Sequence, residues 1–304
     1  MPAESLAFVQ FIHPGKEHGP DSSSDRRTWN MGPHRRKFML TNGVYVTDGQ
    51  SREARVAFWG EWEPPSRVVA AYATEGDLPR FIHEPLIERP ESYQGRQNTD
   101  PYVFGSWFIY TGCQQHTNKG ETETQLRRLK RGSVILFGSC LARSRFVIDT
   151  VFVVADFFDH CSRDYHSVLR DAVTDPYWTV TLGPWYQDSK AAGTRSFRLY
   201  RGATPEHPID GMFSFAPCLP NKGGDPRFER PEIQLSDVIT PHLTQGKRVT
   251  KLRRVEEAVP LWNGVVKQVA RRGLALGVRF DAPTKSFAAN CCLTNVEASS
   301  SGAR

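Results

Sequence analysis

The sequence predicts an α+β fold that is rich in β-strands, and three observations support this class. The 304 residues include 24 glycines and 21 prolines, a composition that favours turns and short elements. Short runs rich in valine, isoleucine and phenylalanine recur between these turn signals, as expected for strands. The hydrophobic (39%) and charged (24%) fractions are those of a globular protein, and they exclude a collagen, a coiled coil, a small disulfide scaffold and a disordered chain.

The N-terminal third predicts a series of strands. The first is Leu6–Ile12, whose apolar residues precede a polar loop over 13–33. Asn-Gly, Asp-Gly and Pro-Pro turn signals then separate the following segments. A proline-rich and polar stretch over 78–100 reads as an ordered loop. Strand patterns follow the first one at 34–40, 43–46, 55–62, 67–73 and 103–110.

The middle and C-terminal parts predict both helices and strands. Residues 121–131 are acidic at the start, basic at the end and followed by Gly132, which is typical of a helix of about three turns. Residues 261–272 carry an apolar stripe at helical spacing and are followed by Gly273. A further short helix is predicted at 164–173, and strands at 133–137, 146–154, 177–182, 196–200, 212–215 and 274–280.

After Pro217 the sequence becomes richer in turn residues and less regular, and this change predicts the domain organisation. We expect a β-rich main domain over 1–217 and an α+β extension over 218–295 that packs on it. The small polar residues at 296–304 predict a disordered tail.

Basic residues are clustered in the sequence, although the net charge is only +6. Residues 124–148 contain six bases and no acid, residues 247–254 contain five bases, and a third cluster lies at 35–37. Such clusters are often solvated surface. Three of them in one chain favour an anionic partner, nucleic acid first, and leave a protein partner open.

The sequence shows no recognisable motif for a cofactor, a metal ion, secretion or membrane insertion. Its six cysteines show no C-x-x-C spacing, and neither the nucleotide-binding glycine motifs nor a zinc-protease motif is present. The N-terminus lacks the pattern of a signal peptide, and the most apolar run, 146–158, is too short to span a bilayer. We therefore expect a cytoplasmic protein that has no metal site, no cofactor and no membrane association.

The segment 124–156 is the most distinctive part of the sequence. Its leucines at 126 and 129, its glycine at 132 and the apolar runs at 134–137 and 147–154 form a helix–turn–strand–strand pattern. In these residues the chain resembles the core of PUA-like domains of the EVE and ASCH type, although Ser133 stands where that family usually has aspartate. The resemblance implies a PUA-like pseudobarrel with extra loops and a few short helices. A generic αββ unit is the alternative.

The same resemblance implies nucleic-acid binding, with a modified or flipped base held in an aromatic pocket. Stacking on Trp59 or Trp107 and hydrogen bonds from the pocket wall supply the physical basis. Alternation along the strand over 55–62 puts Trp59 and Glu61 on one face and Trp62 on the other. Tryptophans are more often core, and Asn98 and Asp100 are also good turn formers. The candidate nucleic-acid-binding residues are Arg35, Arg36, Lys37, Trp59, Glu61, Asn98, Asp100, Trp107, Arg127, Arg128 and Arg131.

An enzyme is the alternative hypothesis. The order of Arg201, Ser214 and Glu256 resembles the Arg…Ser…Glu order of ADP-ribosyltransferases, in which the arginine and serine help to hold NAD and the glutamate supports attack at the ribose. This resemblance implies a nucleotide- or NAD-using transferase centred on Arg201. Glu256 also stands where a helix N-terminus favours acids in any case.

Overall fold

The computed structural model describes residues 4–13, 15–20, 35–87, 98–117, 122–187, 195–243 and 246–285. Strands dominate this part of the chain, as the sequence predicts. They are β1 (Leu6–Ile12), β2 (Lys37–Thr47), β3 (Gln50–Gly60), β4 (Ser66–Ala71), β5 (Phe81–Ile87), β6 (Ile109–Tyr110), β7 (Val134–Leu141), β8 (Arg145–Cys161), β9 (Ser196–Gly202), β10 (Ala216–Pro220), β11 (Gly246–Leu252), β12 (Ala275–Phe280) and β13 (Thr284–Lys285).

Helices are fewer and shorter than the strands. One 3-10 turn, Gln125–Arg128, precedes β7, a second, Val255–Glu257, follows β11, and α1 (Tyr165–Leu169) follows β8. A continuous helical segment, α2, comprises Asp175–Tyr177, a π-helical turn at Trp178–Leu182, and Gly183–Gln187. The longest helix is α3 (Ala258–Arg271), which buries Trp262, Val265 and Val269 in the core.

The strands form two mixed sheets. The first has the order β11-β1-β7-β8-β9-β6, in which only β1 and β7 run parallel. The second has the order β12-β10-β3-β2-β5-β13, with β4 paired to β5. Because β12 also pairs with β2, the strands β2, β3, β10 and β12 close a cycle.

Two apolar cores hold the sheets together. Phe11, Phe137 and Tyr110 pack in one core, and Phe38 and Trp59 lie in the other. Successive residues of β3 contribute to opposite cores because side chains alternate along a strand. The end of β3 is therefore buried on both faces.

The C-terminal strands belong to the same two sheets as the N-terminal ones. The boundary expected between residues 217 and 218 falls inside β10, which pairs with β3. In addition, β11 pairs with β1 and β12 pairs with β2. The residues of the predicted extension thus complete sheets that begin in the first 60 residues. The predicted tail, 296–304, lies outside the described residues.

Four local predictions were wrong. The strand expected at 212–215 is absent, and only isolated bridges involve Met212 and Phe215. The helix expected over 121–131 is reduced to one 3-10 turn, because the backbone of Leu129 is extended and donates to the Tyr200 hydroxyl. The strand expected at 177–182 is helical, since Pro176 favours a helix start and Trp178 N bonds Thr174 O. In the stretch 103–110, only the last two residues form a strand. No helix among the described residues is long and apolar enough to cross a membrane.

Candidate functional site

A buried ion network joins the two sheets, with Arg36 at its centre. Arg36 directly precedes β2 and Glu61 directly follows β3, and pairing of Lys37 with Gly60 brings them side by side. The Arg36 guanidinium donates from Nη1 to Glu61 Oε2 at 2.6 Å and from Nε to Asp149 Oδ2 at 2.7 Å. Arg230 donates to the other Asp149 oxygen at 3.3 Å. All four side chains are nearly inaccessible to solvent.

The charges of this network balance, which explains how they tolerate burial. Two guanidiniums face two carboxylates, and each carboxylate accepts hydrogen bonds. Burial acts to lower the pKa of Arg36, but Glu61 and Asp149 outweigh it and the pKa is raised. Burial lowers the pKa of Arg230, which Asp149 only partly offsets. Both remain charged, because arginine does not deprotonate in proteins.

Polar side chains continue from Glu61 towards Asp100. Asn98 Nδ2 donates to Glu61 Oε1 at 2.6 Å, and its Oδ1 accepts from Asp100 N at 3.0 Å. The Asp100 carboxylate in turn accepts from the backbone of Thr111 at 3.0 Å and of Cys113 at 3.1 Å. Burial nevertheless raises the pKa of Asp100 well above its ordinary range. His13 joins these groups, with its Nδ1 2.7 Å from Glu61 Oε2. We call His13, Arg36, Glu61, Asn98, Asp100, Asp149 and Arg230 the buried polar cluster.

The structure therefore brings together four of the predicted site residues, Arg36, Glu61, Asn98 and Asp100. Arg36 is not placed for the phosphate contact that the sequence suggested. It is buried, and its guanidinium donates to the carboxylates of Glu61 and Asp149. Lys37 is also buried, and its Nζ donates to Pro64 O at 2.9 Å. Arg35 is half-buried at the start of this segment.

The two tryptophans expected to form a base-binding pocket belong to different cores, and among the described contacts only Trp59 touches the cluster, with the Arg230 guanidinium 5.1 Å from its ring centroid. Trp59 is 4% exposed in one core and donates its indole N–H to Phe228 O at 3.1 Å. Trp107 is half-buried against the other core and donates to Ala172 O at 3.3 Å. The alternation predicted for β3 is confirmed, but both of its faces are core, because the second sheet is covered on each side.

The arginines of the segment 124–131 have different surroundings. Arg127 is buried and pairs with Asp159 at 2.7 Å, whereas Arg128 pairs with Glu123 at 2.7 Å. Arg131 is exposed, and its Nη1 donates to the Ala155 carbonyl at 3.1 Å. Of these three, Arg131 alone is both exposed and unpaired with an acid in the described part of the chain.

The alternative catalytic residues do not form a common site among the described contacts. Arg201 pairs with Asp156 at 3.1 Å and lies over the Trp107 ring at 5.0 Å. Ser214 is buried, and its Oγ accepts from Val153 N at 2.9 Å. Glu256 is exposed in the turn that precedes α3. The Ser214 hydroxyl is therefore a hydrogen-bond partner of the β8 backbone. These positions give the transferase hypothesis no geometric support.

A basic cleft lies at the end of the first sheet where β1 begins, whereas His13 of the buried polar cluster follows the other end of β1. Residues 130–131 reach it because Ser5 N donates to Arg128 O at 2.9 Å and Lys130 N donates to Ser5 O at 3.1 Å. Residues 251–254 reach it because β11 pairs with β1 and opposes Leu252 to Leu6. The cleft has a volume of about 360 Å³. Its charged lining residues are Glu4, Lys130, Arg131, Lys251, Arg253 and Arg254.

The positive charge of the basic cleft is weakly neutralised. All five basic residues are exposed. Glu4 is engaged by Arg198 at 2.8 Å, and Glu257 lies 4.0 Å from Arg254. No ion pair involves the side chains of Lys130, Lys251 or Arg253 within the described residues. The two basic segments are visible in the sequence, but only strand pairing shows that they meet.

Other site types find no support in the described part of the chain, which contains no group of three or more His, Cys, Asp or Glu residues that could hold a metal ion. Comparisons with protein-family models, with curated proteins and with solved structures gave no match for this chain. The functional argument therefore depends on the residues themselves.

Proposed function

We propose that this protein binds nucleic acid and that the basic cleft contacts the phosphate backbone. The observation that carries the proposal is the convergence of two distant basic segments, 130–131 and 251–254, on one exposed cleft. Lysine and arginine side chains that neutralise phosphates release counterions, and this release supplies most of the sequence-independent affinity for nucleic acid. The proposal thus assigns the contacts to exposed cations instead of Arg36 and Lys37.

The lining of the basic cleft favours contacts to phosphates over contacts to bases. Leu6, Leu252 and Val255 are its apolar members, and none of its described lining residues is aromatic. Phosphate contacts position a protein on nucleic acid without reading the sequence, whereas stacking needs an aromatic ring. We therefore propose binding with little base specificity at this cleft.

The PUA-like resemblance of residues 124–156 supports the same function and remains part of the proposal. Lys130 and Arg131 belong to that segment and stand directly before Gly132 and β7. In the resembling family this region belongs to a nucleic-acid-binding domain. A pocket for a modified base would need aromatic residues other than the buried Trp59.

A binding titration of the full chain tests this proposal. Fluorescent single- and double-stranded DNA and RNA of one length are titrated at low and at moderate salt. The slope of log K against log salt is about −0.9 for each phosphate that is neutralised on duplex DNA. Five basic residues therefore give a slope of up to about −4 to −5. Affinity that does not fall as salt is raised would contradict the electrostatic mechanism.

A pair of charge-reversal variants locates the site. The test variant is Lys251→Glu/Arg253→Glu, and the matched control is Lys222→Glu/Lys267→Glu, which changes the net charge equally at exposed positions outside the cleft. We expect the test variant to lose affinity and about 2 units of salt slope. Equal affinity losses in both variants would assign the effect to net charge and would refute the cleft.

A further inference from the structure

Cys113, His13 and Glu61 form a row of close polar contacts beside the buried polar cluster, with a hydrogen bond between Cys113 and His13 and an ion-pair distance between His13 and Glu61. Cys113 Sγ lies 3.5 Å from His13 Nε2, and His13 Nδ1 lies 2.7 Å from Glu61 Oε2. The three residues come from different elements: His13 directly follows β1, Glu61 directly follows β3, and Cys113 lies shortly after β6. The row therefore exists only in the folded chain.

The two ends of this row are held by independent contacts. Asp100 accepts from Cys113 N at 3.1 Å, and the Tyr110 hydroxyl donates to Cys113 O at 2.6 Å. Glu61 is fixed by Arg36 on one oxygen and by Asn98 on the other. Such support positions a side chain with little freedom, as reactive groups require.

The order of the three groups is that of a nucleophile, a base and a residue that orients the base. When the ring proton is on Nδ1, the nitrogen that lies 2.7 Å from the Glu61 carboxylate, Nε2 carries the lone pair that faces the thiol. Covalent catalysis has a recognisable geometry. The nucleophile lies within hydrogen-bond reach of a base, and a third group orients that base. Phe11 packs edge-on against the imidazole at 4.4 Å and limits its rotation.

We propose that Cys113 is the nucleophile of an acyl-transfer site, with His13 as its general base and Glu61 as the positioning residue. The substrate class is a small carboxylic ester, thioester or amide. The Cys113 thiol proton moves to His13 Nε2 while Sγ bonds to the carbonyl carbon. Collapse of the tetrahedral adduct breaks the bond to the leaving group, which takes that proton, and leaves a thioester. Water then attacks the thioester, releases the acid and restores the thiol.

The electrostatics of the row agree with a base-assisted step. Burial raises the pKa of the Cys113 thiol well above its ordinary range, and Asp100 and Glu61 add to this, while Arg36 and Lys247 oppose it. The thiol is therefore neutral at physiological pH. A neutral thiol attacks a carbonyl only if its proton is removed during the attack, which is the role assigned to His13.

Solvent exposure distinguishes Cys113 from Cys218, the most deeply buried of the described cysteines. Cys113 is 8% exposed, whereas Cys218 is fully inaccessible. Cys140 is half-buried and contacts Gln10 and Thr240 instead. Cys140 therefore serves as an internal control of greater exposure without a base.

Acetylation by p-nitrophenyl acetate tests the proposal on the full chain. Release of nitrophenolate is followed after rapid mixing, and the acid-quenched protein is mapped by peptide mass spectrometry. We expect an acetyl group on Cys113 and a nitrophenolate burst that Cys113→Ala removes and Cys140→Ala leaves unchanged. His13→Gln should slow the acetylation of Cys113 by about 10²-fold or more. Acetylation of Cys140 but not of Cys113 would overturn the proposal.

A measurement on the unaltered protein keeps the test decisive if His13→Gln does not fold. Attack by a free thiolate of raised pKa accelerates about tenfold per pH unit through the neutral range. Attack assisted by His13 reaches a plateau once the imidazole is neutral. A rate that levels off between about pH 6 and pH 9 supports the proposal, and a continuous tenfold rise per unit over that range refutes it.

Discussion

Asp149→Asn is the substitution whose effect follows most directly from the buried ion network. Asp149 is the carboxylate shared by Arg36 and Arg230, at 2.7 Å and 3.3 Å. With Glu61 it balances the two guanidinium charges. An asparagine has nearly the same shape, so the substitution removes a charge without leaving a cavity. One buried positive charge is then uncompensated.

The size of the effect can be worked from this imbalance. Removing one partner of a buried ion pair costs about 3–5 kcal/mol of unfolding free energy, because the remaining charge stays buried. An unfolding entropy of roughly 2.1 cal/mol/K per residue gives about 640 cal/mol/K for a chain of this length. The expected loss therefore lowers the melting temperature by about 5–8 °C.

Thermal and urea unfolding of matched variants provide the assay. The control is Asp77→Asn, which removes the same charge from an exposed pair with Arg145 in which both side chains are more than 40% exposed. Exposed pairs contribute up to about 1 kcal/mol, so the control should shift the midpoint by less than about 2 °C. Equal shifts in the two variants would refute the argument that burial makes the network important.

Three further predictions concern backbone packing and pH. Gly138→Ala should cost about 1–3 kcal/mol or more, because a Cβ there would lie 2.1 Å from the Val147 carbonyl oxygen; an unchanged urea midpoint would contradict this. Gly264→Ala, inside α3, should instead stabilise by up to about 1 kcal/mol, since its nearest contact is a movable methyl of half-buried Leu235 at 3.3 Å, and a lower midpoint would refute it. Burial, reinforced by a nearby arginine, lowers the pKa of His160 to about 3, so the unfolded state binds an additional proton below pH 6.5 and stability falls as the pH drops from about 6.5 towards 3. His160→Gln should remove up to about 1.4 kcal/mol per pH unit of this slope, measured by urea unfolding between pH 7 and pH 4, and identical slopes would exclude His160 as the source.

Elements with a strong periodic pattern could be predicted from the sequence. The first strand, Leu6–Ile12, has the predicted bounds, and α3 covers most of the predicted 261–272 helix. In both, apolar spacing and end signals agree with the final fold. The prediction for the segment 177–182 is wrong because its aromatic and β-branched residues favour a strand locally, whereas Pro176 before it favours the helix that the structure shows.

Part of the candidate site could also be anticipated. The sequence predicts Arg36, Glu61, Asn98 and Asp100 as candidate nucleic-acid-binding residues, and these four lie together in the fold. No sequence signal indicated that Asp149 would pair with Arg36 in a buried network. His13 and Cys113 were missed as a pair, because 100 residues separate them and neither stands in a recognisable motif.

By itself, the sequence determined the strand-rich class, the positions of most strands and the presence of basic segments. These properties depend on local composition and periodicity, which act over a few residues. The tertiary structure alone decided which residues meet. Pairing of β1 with β11 joined the segments 130–131 and 251–254 into the basic cleft, and pairing of β2 with β3 buried Arg36 against Glu61. Long-range strand pairing is decided by the burial of both cores at once, and no local segment encodes it.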